Sequence, residues 1–162
     1  MTTTTKQQAG TSIVTTPTDR EIRVERVFNA PREVVWRAMT EPTLVAQWWG
    51  RGNKLDVERL EVKPGGHWRY VEHHDGGSDG FEGRFAEVVR PERVSQSFEW
   101  DGMPGHPCLN TASLEDLGDG RTRLVQTSLF FTKEERDGMI QSGMEQGMNQ
   151  SFAELDKLLA TL

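Results

Sequence analysis

Residues 132–162 read TKEERDGMIQSGMEQGMNQSFAELDKLLATL. Within them Ile140, Met144, Met148, Phe152, Leu155, Leu159 and Leu162 recur three or four residues apart, the spacing that gathers side chains on one face of an α-helix. Thr132 and Glu135 have the spacing of a capping box, which marks the start. About thirty residues of helix span about 45 Å, enough to cross a small sheet. A stripe this long needs an apolar surface to lie on, so the fold turns on what precedes it.

From Lys54 to Phe131 the signals are those of strands. Turn-forming groups recur at short intervals: Pro64-Gly65-Gly66, Asp75-Gly76-Gly77, Asp79-Gly80, Pro91-Glu92, Asp101-Gly102 and Gly118-Asp119-Gly120. Segments of strand length lie between them, rich in aromatic and β-branched residues, and short turns between consecutive strands make an antiparallel meander. Further upstream, Ile22, Val24, Arg26 and Phe28 alternate with Arg23, Glu25, Val27 and Asn29 in a period-2 pattern that predicts another strand. Pro31 then opens a short helix carrying Val34, Val35, Ala38 and Met39. A second, from Pro42, carries Leu44, Val45 and Trp48 and stops at Gly50 and Gly52. Residues 1–19 are Thr-rich and read as a flexible lead-in. Within them Thr11 to Thr15 is of a kind to add a short edge strand before Pro17. The predicted architecture is a single α+β domain over residues 20–162, with a curved antiparallel sheet against one long C-terminal helix and two short helices after the first strand.

Composition narrows the function classes. A chain of 162 residues is enough for one domain with a real core. The net charge of -6, with Lys and Arg interleaved among Asp and Glu, argues against nucleic acid or an anionic membrane as partner. The single cysteine, Cys108, excludes an intrachain disulfide and is in keeping with a cytoplasmic home. It is either a reactive thiol or a small buried residue, and no neighbour in sequence supplies a base for the former. No signal-peptide core or membrane-spanning run is expected.

The order of motifs resembles the helix-grip superfamily of START lipid-transfer domains, Bet v 1-like proteins and polyketide cyclases. It is most similar to bacterial relatives of the C-terminal domain of the Hsp90 ATPase activator. The resemblance rests on Arg26-Val27-Phe28-Asn29-Ala30-Pro31, Val35-Trp36, Trp48-Trp49-Gly50, Pro64-Gly65-Gly66-His67-Trp68-Arg69, Gly83-Arg84-Phe85-Ala86-Glu87-Val88-Val89, Pro91-Glu92-Arg93-Val94, Phe98-Glu99-Trp100, Gly120-Arg121-Thr122 and Gly147-Met148-Asn149-Gln150-Ser151-Phe152. It covers about residues 20–162. It implies a fold more than a chemistry, since such a fold hosts carriers, cyclases and chaperone-associated proteins alike. Arg51 departs from the family pattern, which usually has Pro after Trp-Trp-Gly; the change either puts a cation at the entrance loop or has no consequence.

Strand alternation assigns faces. Trp68, Tyr70, Glu72 and His74 share one face of their strand, and the more aromatic set is expected to face the helix. Val94, Gln96, Phe98 and Trp100 share a face, as do Leu124, Gln126 and Ser128, whose inward placement follows from the resemblance. With Phe85, and with Met144, Met148 and Phe152 from the helix, they outline an aromatic interior with a few polar groups, the composition of a small-molecule site. The alternative is that the rings simply fill the core. Gly143 and Gly147 cost the helix about 1 kcal/mol each, which points to a close approach or to withheld volume. Of Trp48 and Trp49, one is expected inside and one at the rim, or else the pair seals the end of the sheet.

Catalytic and cofactor motifs are sparse. His67 and His73 share a face but lie about 20 Å apart at strand rise. His73 and His74 point to opposite faces, and His106 sits in a loop, so no metal site is expected. No nucleophile motif or phosphate loop occurs, and no cofactor is implied. Glu72, with His74 as a companion, is the one acid–base candidate, either desolvated in the interior or wet at a strand end. The expected function is binding of a small, largely apolar ligand between sheet and helix. The alternatives are a cyclase or hydrolase using the same space, and a chaperone-associated interaction protein; a homodimer is compatible with each.

Overall fold

The computed structural model describes residues 10–162. Of the predicted lead-in, residues 1–9 lie outside the described residues. Beyond them β1 (Ser12–Thr15) forms the anticipated edge strand, antiparallel to β2 (Glu21–Phe28). Helices α1 (Arg32–Thr40) and α2 (Pro42–Val45) follow, then β3 (Lys54–Leu60), β4 (His67–His74), β5 (Gly77–Val89), β6 (Arg93–Trp100), β7 (Cys108–Asp116) and β8 (Thr122–Leu129). The sheet has eight strands in the order β1-β2-β8-β7-β6-β5-β4-β3, every pairing antiparallel. β2 therefore closes on β8, which brings the first helices to the inner face. Register shifts between Val57 and Arg59 and between Phe85 and Val88 bend the sheet at β3 and β5.

The C-terminal segment folds as two helices, α3 (Lys133–Gln141) and α4 (Met144–Leu159), where the spacing predicts one. The break is at Gly143, whose φ of 84° is the left-handed conformation that glycine adopts without strain. The apolar spacing continues across the break in the sequence, but Ile140 on α3 and Leu162 past α4 are exposed; periodicity does not register backbone handedness. α4 buries Ser151, Phe152, Leu155, Leu158 and Leu159. Gly147 has the second predicted role, close approach: a Cβ there would sit 3.1 Å from the Cδ of Arg51.

α4 is tied to the sheet by Arg26, an inward residue of β2 that is 4% exposed. Its guanidinium makes a two-pronged pair with Asp156, with Nη1 to Oδ1 at 2.9 Å and Nη2 to Oδ2 at 2.7 Å. It also lies over the rings of Phe28 and Phe152, 4.6 and 5.3 Å from their centroids. Phe28 and Phe152 themselves meet edge to face at 5.3 Å. Trp48 stacks on Phe152 from the other side and donates its Nε1–H to the Ala38 carbonyl at 2.8 Å. Strand, helix and loop thus converge on one charged group. Removing the carboxylate leaves that cation buried and unpaired, so Asp156→Ala is expected to cost about 2–4 kcal/mol, measurable by urea unfolding. Asp156→Glu should recover part of it.

Candidate functional site

The inner face of β4, β5 and β6 carries Trp68, Tyr70, Phe81, Phe85 and Phe98. Trp68 pairs with Gly83 across the β4–β5 ladder, and the missing side chain decides where its indole goes. The ring lies over the glycine and donates Nε1–H to the Ser97 carbonyl on β6 at 3.0 Å. A Cβ at Gly83 would fall 1.9 Å from that carbonyl oxygen and 2.7 Å from the indole nitrogen. Gly83→Ala is therefore expected to destabilise the fold by about 3 kcal/mol or more, and loss of the near-ultraviolet aromatic signal should report the displaced Trp68.

Of the adjacent tryptophans, Trp48 is buried and Trp49 is half-buried, and both rings turn toward the core. Trp48 is core, as described. Trp49 points into the aromatic cluster, with ring centroids 5.1 Å from Tyr70, 5.2 Å from Phe81, and 6.5 Å from both Trp68 and Phe98. This is possible because residues 46–50 are a turn and not a continued helix, so successive side chains diverge. The aromatic rings consequently pack on one another with Trp49 among them. Trp100, expected to face inward, is 39% exposed; it stands at the strand end against Gly102 and donates Nε1–H to Asp79 at 3.0 Å. The hairpin tip, where alternation lapses, takes it out of the interior.

Glu72 is inward and 2% exposed, but it is not an available base. Arg51 Nε lies 3.2 and 3.1 Å from its two oxygens, Arg51 Nη2 donates to Oε2 as well, and Asn53 Nδ2 donates to Oε2 at 3.1 Å. The same pairing holds the Arg51 guanidinium above its ordinary pKa. His74, offered as its companion, pairs instead with Asp79 at 2.8 Å. Arg51 reaches Glu72 from a backbone with φ of 58°, flanked by Gly50 and Gly52. Its amide donates to the Ser151 hydroxyl at 3.2 Å, which in turn donates to the Trp49 carbonyl at 2.9 Å. The residue that breaks the family pattern is thus a latch that seats the Trp49 loop on β4 and α4.

Towards β6, β7 and β8 the inner face changes character. The register sets Gln96 opposite Asn110, Asn110 opposite Ser128, and Ala112 opposite Gln126. Val94, Cys108, Ala112, Leu114 and Leu124 on this face are buried, whereas Gln96, Phe98, Asn110, Gln126 and Ser128 are only half-buried. The Ser128 hydroxyl donates to Asn110 Oδ1 at 2.6 Å, and the Cys108 thiol lies 3.6 Å from the same oxygen. Among the described residues the side-chain amides of Gln96 and Gln126 make no hydrogen bond. Met139, Met144 and Met148 of α3 and α4 pack partly buried against the core, as does Phe98. Asn110 escaped the sequence reading, although a lone polar residue alternating with Cys108, Ala112 and Leu114 is its signal. So did the second role of Glu135. Its backbone N–H is capped by Thr132 at 3.1 Å, but its carboxylate turns to His106 Nδ1 at 2.9 Å, and Oε2 is buried with no partner.

Two hollows open on the surface. One, of about 730 Å³, lies at the bend between α3 and α4 and includes Ile140, Gly143, Gln146 and Asn149. The other, of about 250 Å³, includes Gly10, Asn29, Asp156 and Leu159. Neither is lined by the inward-facing residues of β4 to β8. Among the described residues no three His, Cys, Asp or Glu side chains are grouped to hold a metal ion, and no helix is long and apolar enough to cross a membrane. Burial, with a smaller contribution from Glu135, pushes the Cys108 thiol up to about 12. At pH 8 it is neutral, so Cys108 in the folded chain should react with a disulfide reagent at least about 100-fold more slowly than in the urea-unfolded chain.

Comparison with known proteins agrees with this geometry. A Rhodobacter sphaeroides protein of known crystal structure is 28% identical, with a TM-score of 0.85 over 94% of this chain and 99% of that one. An Arthrobacter aurescens protein solved by NMR is 23% identical, with a TM-score of 0.83 over 93% and 92% of the two chains. DynU16, a protein of the dynemicin biosynthetic locus, is 26% identical with a TM-score of 0.68, over 90% of this chain and 48% of its own. Comparison with curated proteins finds no match. The family model described as Activator of Hsp90 ATPase homolog 1-like protein matches residues 29–160, which span α1 to α4 and every strand from β3 onward, and the chain belongs to that family.

Proposed function

We propose that this chain binds a small, largely apolar molecule on the inner face of β6, β7 and β8, beneath α3 and α4. The fold is, in general terms, that of a ligand-binding domain. The observation that carries the finer reading is the unsealed stretch of that face. Gln96, Phe98, Asn110, Gln126 and Ser128 point inward yet stay half-open, while their neighbours on the same face are buried. A sheet that only needed a core would place apolar side chains there, because an uncommitted polar group under a helix costs stability. Methionines on the covering helices supply walls that reshape at low cost. The structural relative from a biosynthetic locus fits a role in handling small molecules, and the engagement of Glu72 by Arg51 and Asn53 favours binding over proton transfer.

The reading is tested with the intact chain and a panel of C8–C14 apolar probes, followed by native mass spectrometry and tryptophan fluorescence. One-to-one complexes are expected, with a fluorescence change from Trp49 and Trp68. Ser128→Phe, which fills the half-open face, should lower probe affinity by about tenfold or more with the circular dichroism spectrum retained. Uptake unchanged by this substitution would place the site elsewhere.

A further inference from the structure

The polar groups on this face also discriminate between ligand head groups. From them we infer that the site selects an amphiphile with an uncharged head carrying both a hydrogen-bond donor and an acceptor, such as a carboxamide, and rejects the matching carboxylate. The inference rests on the binding reading above. Gln96 and Gln126 stand on β6 and β8 on either side of β7, and each offers an amide with two N–H donors and a carbonyl acceptor, none of them used within the described chain. On β7, Asn110 stands opposite Gln96, and its Oδ1 is already occupied by Ser128. A head group that donates and accepts can use both the N–H groups and the carbonyls of two such amides; an ion that only accepts uses their N–H groups alone.

Charge points the same way. A buried anion needs a cation or a dense set of donors. The guanidiniums that reach toward the interior are all committed: Arg26 to Asp156, Arg51 to Glu72, and Arg136 to the Thr18 carbonyl at 2.7 Å and to Asp137 at 2.9 Å. The ionisable group beside the polar face, Glu135, is likewise committed, to His106 Nδ1 at 2.9 Å. A carboxylate brought to this face gives up hydration with no uncommitted cation among these groups to offset it.

The experiment compares decanamide with decanoate at pH 7.5 by tryptophan fluorescence titration and calorimetry on the full chain. Decanamide is expected to bind at least about tenfold more tightly. Gln96→Leu combined with Gln126→Leu should weaken decanamide by about tenfold and decanoate by less. Decanoate binding as well as decanamide to the unsubstituted protein overturns the head-group inference and leaves the binding site standing. Failure of both probes, together with failure of the apolar panel, removes the site itself. The comparison on the unsubstituted chain decides the matter even if a variant does not fold.

Discussion

A guanidinium held away from water is stable only where a carboxylate and an electron-rich surface meet it, and in this molecule one place supplies both. Arg26 stands on β2, and its partner Asp156 comes from α4, 130 residues away. The two rings that flank it belong to β2 and α4 as well, and Trp48 stacks on one of them from the loop before β3. Because the three elements are fixed to one charge, α4 has a single position over the sheet. Arg26 stands opposite Leu124 on β8, so this interaction lies beside the polar part of the inner face and fixes where α4 runs relative to it.

The interior is divided by chemistry. Over β4 and β5 it is aromatic and filled, with Trp49 wedged among four rings and its loop latched through Arg51 to Glu72 and through Ser151 to α4. Over β6 to β8 it is amide-lined and half-open. The two halves share Phe98, which stacks on Phe81 at 5.5 Å and on Trp68 at 5.9 Å. A ligand body laid on Phe98 would extend the aromatic stack, and its head would meet Gln96 and Gln126. On the proposed reading, two sections of one sheet face would provide the apolar and polar parts of a single binding surface.

Much of this was legible in the residues. The alternation that put Trp68, Tyr70 and Glu72 on one face and Gln96 and Phe98 on another survives in the structure, because a buried face enforces period 2 along each strand. The failures share a physical cause. Trp100 left the interior at a hairpin tip, where alternation has no sheet behind it. The one long helix became two at a left-handed glycine, since the apolar stripe is blind to backbone handedness. Glu72 looked like a base because a strand pattern shows which way a side chain points and not what meets it; its partners come from a loop more than fifteen residues upstream. Asn110 was missed because a single polar residue among apolar ones weighs little until register sets it between Gln96 and Ser128.

The break at Gly143 separates two mechanical tasks. α4 is pinned through Arg26, while α3 is fastened independently, through Arg136 to the Thr18 carbonyl and through Glu135 to His106 on the loop before β7. Met139 rides on α3, and Met144 and Met148 ride on α4, so the methionines packed against the core sit on two separately anchored panels. Substitutions in α3 can widen or narrow one panel without loosening the element that holds the fold together. On the proposed reading, a scaffold with that property would diversify its ligands through the exposed positions of the nine-residue α3, leaving the Arg26 anchor unchanged.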